Sequence, residues 1–195
     1  MEFIGFAIAT AVAYQALKGY KLSKERTLLY LHLSFVLLGT GLLVDALASL
    51  LALRARFLIG LLFLYSAGYT INFLAQLVAY GLLAFAYFQR TRSGSIQSVA
   101  ATAVLSALFF ERNAIAEFIL AVLLVYITIQ TGMNYSLNKN KNSLLVFGAF
   151  ASLTLAHLFF MVFVLVPTFF PLAHIAQLFG FLLLLAMLLR VNQPS

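Results

Sequence analysis

The 195-residue sequence has no cysteine, no tryptophan, three prolines and five acidic residues against twelve lysines and arginines. Without cysteine there is no disulfide, no thiolate zinc or iron–sulfur centre and no nucleophilic thiol. Without tryptophan, any aromatic belt at a membrane surface falls to nine tyrosines and twenty phenylalanines. Charge is the scarcest property: 9% of residues carry one, where soluble domains carry about 25%. Nucleotide-binding loops, serine-nucleophile motifs, HExxH and EF-hand patterns are missing. Hydrolytic or group-transfer catalysis is therefore not expected. Acids are too few for a divalent-cation cage, so no metal site is expected.

What is present is apolar: 64% of residues are hydrophobic. A spanning helix takes about 20 apolar residues, so the chain holds seven spans and leaves little for loops or a soluble domain. The net charge of +7 sits in small groups at the ends of apolar runs. There it orients the chain and meets lipid phosphates; nucleic-acid binding, which needs a continuous basic face, is not expected.

Two stretches match at a constant offset of 115, residues 2–29 and 117–144. Glu2/Glu117, Phe3/Phe118, Ile4/Ile119, Gln15/Gln130, Tyr20/Tyr135, Leu22/Leu137, Lys24/Lys139 and Leu29/Leu144 coincide without a gap. A second match, Leu74-Ala-Gln-Leu77 with Ile175-Ala-Gln-Leu178, has an offset of 101. The pattern predicts a duplicated membrane unit, with 14 additional residues within 52–69 of the first copy.

The expected spans are residues 3–17, 27–51, 70–89, 95–110, 116–131, 143–166 and 172–189. Residues 3–17 have the length of a signal-peptide core, but Glu2 precedes them and Lys18 follows, the reverse of a signal peptide's charge order. The insertion at 52–69 reads as an interfacial or partly re-entrant helix hinged near Ser66-Ala67-Gly68, with one long tilted helix as the alternative. Residues 2–90 and 117–190 form the two triple-helix repeats, and 95–110 is a linker helix without a counterpart. With the N-terminus outside and the C-terminus cytoplasmic, Lys18, Lys21, Lys24, Arg26, Arg90, Arg92, Lys139, Lys141 and Arg190 face the cytoplasm, against Arg54, Arg56 and Arg112 outside. The linker makes the repeats parallel.

This 3+1+3 arrangement resembles the one shared by microbial rhodopsins and SWEET-type sugar transporters. It departs from both at the residue level. The last span has no lysine before Arg190 for a retinal Schiff base, and no proline lies in the first six spans to supply the Pro-Gln pair of SWEET-like bundles.

Ionisable and amide side chains inside a membrane are costly, so each is a candidate for function. Through the repeat, Asp45 corresponds to Phe160, which puts Asp45 and His157 about one helical turn apart in depth. Gln76 and Gln177 are equivalent, and His174 lies near the outer end of the last span. Asp45, Gln76, His157, His174 and Gln177 thus form an expected polar layer in the outer half of the bundle. They are read as interhelical packing bonds, as a carrier site of Asp45, Gln76, His157 and Gln177 with Asp45 the charge partner of a proton-exchanging His157, or as a b-type haem held by His157 and His174. No other cofactor is expected. Glu2 and Glu117 are read as helix-start acids favoured by the helix dipole, and His32 as an interfacial packing residue.

Three functions follow as expectations. The first is a non-catalytic, lipid-embedded accessory subunit of a larger membrane complex, respiratory or otherwise energy-converting, in the cell membrane. Its partners would be other membrane subunits or further copies of the chain; spare small-residue ridges such as Gly5/Ala9/Ala13 and Gly148/Ser152/Ala156 motivate it. The second is a small-solute or proton-coupled transporter, and the third a haem-binding or sensory module.

Overall fold

The computed structural model describes residues 1–54, 58–91, 114–163 and 166–193. Among these, six α-helices form: α1 (Glu2–Ser23), α2 (Arg26–Arg54), α3 (Leu58–Thr91), α4 (Ala114–Asn138), α5 (Lys141–Phe163) and α6 (Phe169–Val191). The five from α2 to α6 are long and apolar enough to cross a membrane, so the chain is a multi-pass membrane protein. The first expected span is helical, but α1 carries Gln15, Lys18 and Lys21 and is not among those five. The expected linker helix at 95–110 lies outside the described residues.

The helices close into a ring. Each packs on its neighbour in the chain within α1–α2–α3 and within α4–α5–α6, and two seams, α1 against α6 and α3 against α4, join the groups. Paired residues fix the directions. In α2 and α3, Ser34 donates to the Ala79 carbonyl at 2.9 Å while Asn72 bonds Asp45, so these helices are antiparallel. Tyr69 bonds Glu117 near the start of α4, Tyr80 bonds His157, and the Tyr87 ring meets Phe150. α5 therefore runs against α3, and α4, antiparallel to α5, runs with it.

Lipid is as apolar as leucine, so helices associate in it through close packing and interhelical hydrogen bonds. Small residues supply the packing here. A Cβ on Gly41 would stand 2.8 Å from Ala75 Cβ, and one on Gly180 would stand 2.9 Å from the Ala149 carbonyl oxygen. Ala9 and Ala13 are buried, and the Ser152 hydroxyl donates across to the Ala176 carbonyl at 2.8 Å. His32, as expected of a packing residue, joins its Nδ1 to the Ala13 carbonyl at 2.9 Å.

The expected hinge at Ser66-Ala67-Gly68 is not there. α3 is one helix of 34 residues, the alternative named above. Gly68 faces α2, where an added Cβ would lie 2.5 Å from Ala48 Cβ and 3.3 Å from Asp45 Oδ1. It is a contact glycine that lets two backbones approach.

The two basic turns share one geometry. Lys24 (φ 59°) and Lys139 (φ 47°) both adopt the left-handed conformation, which is unfavourable for residues with a Cβ. Their amides close the preceding helices on Tyr20 O at 2.8 Å and Tyr135 O at 2.7 Å. At the opposite end α5 is described as far as Phe163 and α6 starts at Phe169, three residues before the expected Leu172. Pro171 falls in the first turn of α6, where the missing N–H costs no helical bond.

Candidate functional site: a buried polar cavity

Polar side chains from all six helices converge at the end of the ring holding the start of α1, α4 and α6. The cavity they line, about 30 Å³, is bounded by Glu2, Leu42, Asp45, Tyr69, Asn72, Gln76, Glu117, His157, Phe160, His174 and Gln177. All five residues of the expected polar layer are among them. Each is buried, His157 to within 1% of full enclosure.

Two hydrogen-bonded chains organise this cavity. His157 on α5 places Nδ1 2.7 Å from Glu117 Oε2 and Nε2 3.3 Å from the Tyr80 hydroxyl. An ionised carboxylate only accepts, so Nδ1 carries a proton, and in the neutral ring Nε2 accepts from the Tyr80 O–H. Tyr69 donates to the other oxygen of Glu117 at 3.3 Å. The chain crosses the seam between α3 and α4. His157 thus pairs with Glu117, which stands in the first turn of α4 as expected and is also a member of the site.

The second chain joins α2 to α3. Asn72 Nδ2 donates to Asp45 Oδ2 at 3.2 Å, and Gln76 Nε2 donates to Asn72 Oδ1 at 3.1 Å. Asp45 accepts only, so Asn72 must turn its amide nitrogen toward it, leaving its oxygen for Gln76. The amide oxygen of Gln76 is then left over. It is buried and has no hydrogen-bond partner among the described residues.

The pair His157 and His174 does not fit haem. Both His157 nitrogens are engaged, the Phe160 ring stands 6.0 Å from His157 and 5.0 Å from His174, and the space is that of about one water. Among the described residues, no group of three or more His, Cys, Asp or Glu is arranged to hold a metal ion.

A larger cavity of about 220 Å³ lies at the other end, between the two basic turns. Its deep wall is apolar, with Leu31, Leu83, Phe150, Leu184 and Met187, and its mouth carries Glu25, Thr27, Asn134, Asn140, Asn142 and Ser143. Phe35, Phe150, Tyr80 and Phe181, all at most 1% exposed, form the packed core of the ring. Phe35 and Phe181 meet edge to face at 5.3 Å.

The repeat offsets recur in both linings. Glu2/Glu117, Leu42/His157, Asp45/Phe160 and Gln76/Gln177 line the small cavity. Glu25/Asn140, Thr27/Asn142, Leu28/Ser143, Leu31/Val146 and Leu83/Leu184 line the large one. The core quartet is likewise two pairs, Phe35/Phe150 and Tyr80/Phe181.

Sequence reasoning missed Tyr69, Asn72 and Tyr80. Asn72 and Gln76, four apart on one face of α3, were a readable signal; the tyrosines were hidden because tyrosine in a membrane chain reads first as belt. The chain matches no protein-family model, no curated protein and no solved structure.

Proposed function

We propose that the chain is a proton-coupled carrier of a small solute, non-catalytic, built from two parallel triple-helix units related by duplication. The observation that carries this reading is the placement of both cavities on residues paired by the repeat. A site between two repeats is where carriers of this architecture hold their solute. Helices running up, down, up in each group support the parallel repeat, as do the matched left-handed turns at Lys24 and Lys139. With the basic turns in the cytoplasm of a cell membrane, the larger cavity opens inward and the polar one lies beyond the aromatic core.

In this reading His157 is the proton-exchanging group. Protonation of Nε2 turns it from acceptor to donor, so the Tyr80 hydroxyl must rotate its own hydrogen elsewhere. Tyr80 belongs to the core between the cavities, so the charge state of the site acts on the barrier itself. The test is flux into proteoliposomes with an entrapped pH dye, across a panel of small solutes. Asp45→Asn should abolish solute-driven proton movement, and unchanged flux in that variant removes this site from the reading.

The accessory-subunit reading keeps one observation of its own. α3 is 34 residues long, about 51 Å at 1.5 Å per residue, against a hydrocarbon layer of about 30 Å. Leu53, Ile59 and Phe63 at the α2–α3 tip are strongly exposed, a surface for another membrane protein. Its original motive is weaker, because the Gly5/Ala9/Ala13 ridge of α1 is buried and the Gly148/Ser152/Ala156 ridge of α5 is at least half-buried inside the ring. Purification from native membranes as a lone 21.5 kDa species would remove it.

A further inference from the structure

We infer that the solute of the axial site is a small cation bearing N–H donors, of the ammonium and short primary-amine class. The inference rests on the carrier reading for transport, but its chemistry comes from two separate observations.

The first is the distribution of charge. The chain has twelve Lys and Arg and only five acids. Yet Glu2, Asp45 and Glu117 line the small cavity and Glu25 the mouth of the large one; the fifth acid, Glu111, lies outside the described residues. Among the described residues, no Lys or Arg lines either cavity. A strongly basic chain thus presents carboxylates along its axis and keeps its cations away from it. Such a lining raises the local concentration of cations and repels anions.

The second is the pair of unsatisfied acceptors. Two buried side-chain atoms lack a hydrogen-bond partner among the described residues, Gln76 Oε1 and Asn142 Oδ1. Both are oxygens, and each belongs to a residue lining one of the two cavities. Gln76 is only 7% exposed, and the bonds that fix its amide force the oxygen to be the free atom. Leaving a buried acceptor unpaired is costly, and a donor entering the cavity removes that cost. A simple carboxylate or an ether has no donor to give. An ammonium group has several, carries the charge that Asp45 favours, and is about the size of the water that the small cavity admits. The larger apolar-walled cavity has room for a short alkyl body behind such a head.

The experiment offers methylammonium, acetate and glycerol to proteoliposomes of the full chain, with unfolding temperatures measured for the detergent-purified protein in the same three solutes. Uptake of methylammonium alone, at least tenfold above protein-free vesicles and reduced tenfold or more in Gln76→Leu, is the expected result. Should Gln76→Leu fail to fold, Gln76→Glu serves instead: an added carboxylate should keep methylammonium uptake and leave acetate excluded. Uptake of acetate or glycerol in place of methylammonium overturns the cation inference and leaves the carrier reading standing. Uptake of none removes the carrier reading, and the unfolding temperatures then decide. A rise with methylammonium chloride over matched sodium chloride retains a cation site, and no rise overturns it.

Discussion

At one depth in the bundle, the two triple-helix groups offer the same positions with exchanged chemistry. α2 presents Leu42 and then Asp45; α5 presents His157 and then Phe160. All four line one cavity. Other pairs are like for like: Glu2 with Glu117 and Gln76 with Gln177 in the same cavity, Phe35 with Phe150, and the two lysine turns. The contrast teaches that like positions supply the two glutamates and two glutamines of the cavity, while Asp45 and His157 stand where the groups differ. An acid on one side and an imidazole on the other, each held by its own chain of bonds, face one cavity.

The comparison breaks most sharply at His157. His157→Leu makes α5 match α2 at this position and strips Glu117 of its strongest partner, leaving a carboxylate in a nearly dry site. Loss of the donor to a carboxylate costs about 1.5–3 kcal/mol, read from reversible unfolding in mixed micelles. Adding Glu117→Leu to the same chain should recover much of that loss, because the uncompensated charge is then gone; no recovery would mean that the pair is not the source of the cost.

A smaller effect tests the frame. Gly180 and Ala79 are equivalent, yet only Gly180 lies against a backbone carbonyl, 2.9 Å from an added Cβ. Gly180→Ala should destabilise by about 1–3 kcal/mol through overpacking. Gly81, with nothing within 4 Å of an added Cβ, should accept alanine and gain roughly 0.5–1 kcal/mol from helix propensity. The same unfolding measurement ranks the two.

The smallest effects sharpen the likeness of the two turns. Lys24→Gly and Lys139→Gly each remove a left-handed residue with a Cβ, and each should stabilise by roughly 1 kcal/mol. Equal gains support turns of one origin and geometry. A gain at only one would separate them.

The membrane class and the polar layer were legible because charge is so scarce that five buried polar residues stand out against apolar spans. Their partners were not. The role of Glu117 was hidden by its place in a first helical turn, which is itself a sufficient reason for an acid. Tyr80 is one of nine tyrosines, and nothing in its flanking residues says that its hydroxyl meets His157 across a seam 77 positions away in the chain. The unbroken run of α3 was misread because glycine permits both a break and close contact. Only the approach of Ala48, in another helix, decides between them.

The absence of cysteine makes the central claim directly measurable, since any introduced thiol is the sole target for a thiol reagent. Leu42, 4% exposed in this structure, lines the small cavity and bears no charge. In oriented membranes, a carrier must open that cavity outward during its cycle. Leu42→Cys is therefore predicted to react with an impermeant cationic methanethiosulfonate added on the side of Glu2 and Glu117, and to be slowed at least several-fold by a transported solute. A thiol that stays unmodified from either face, in protein that remains folded, would contradict the account.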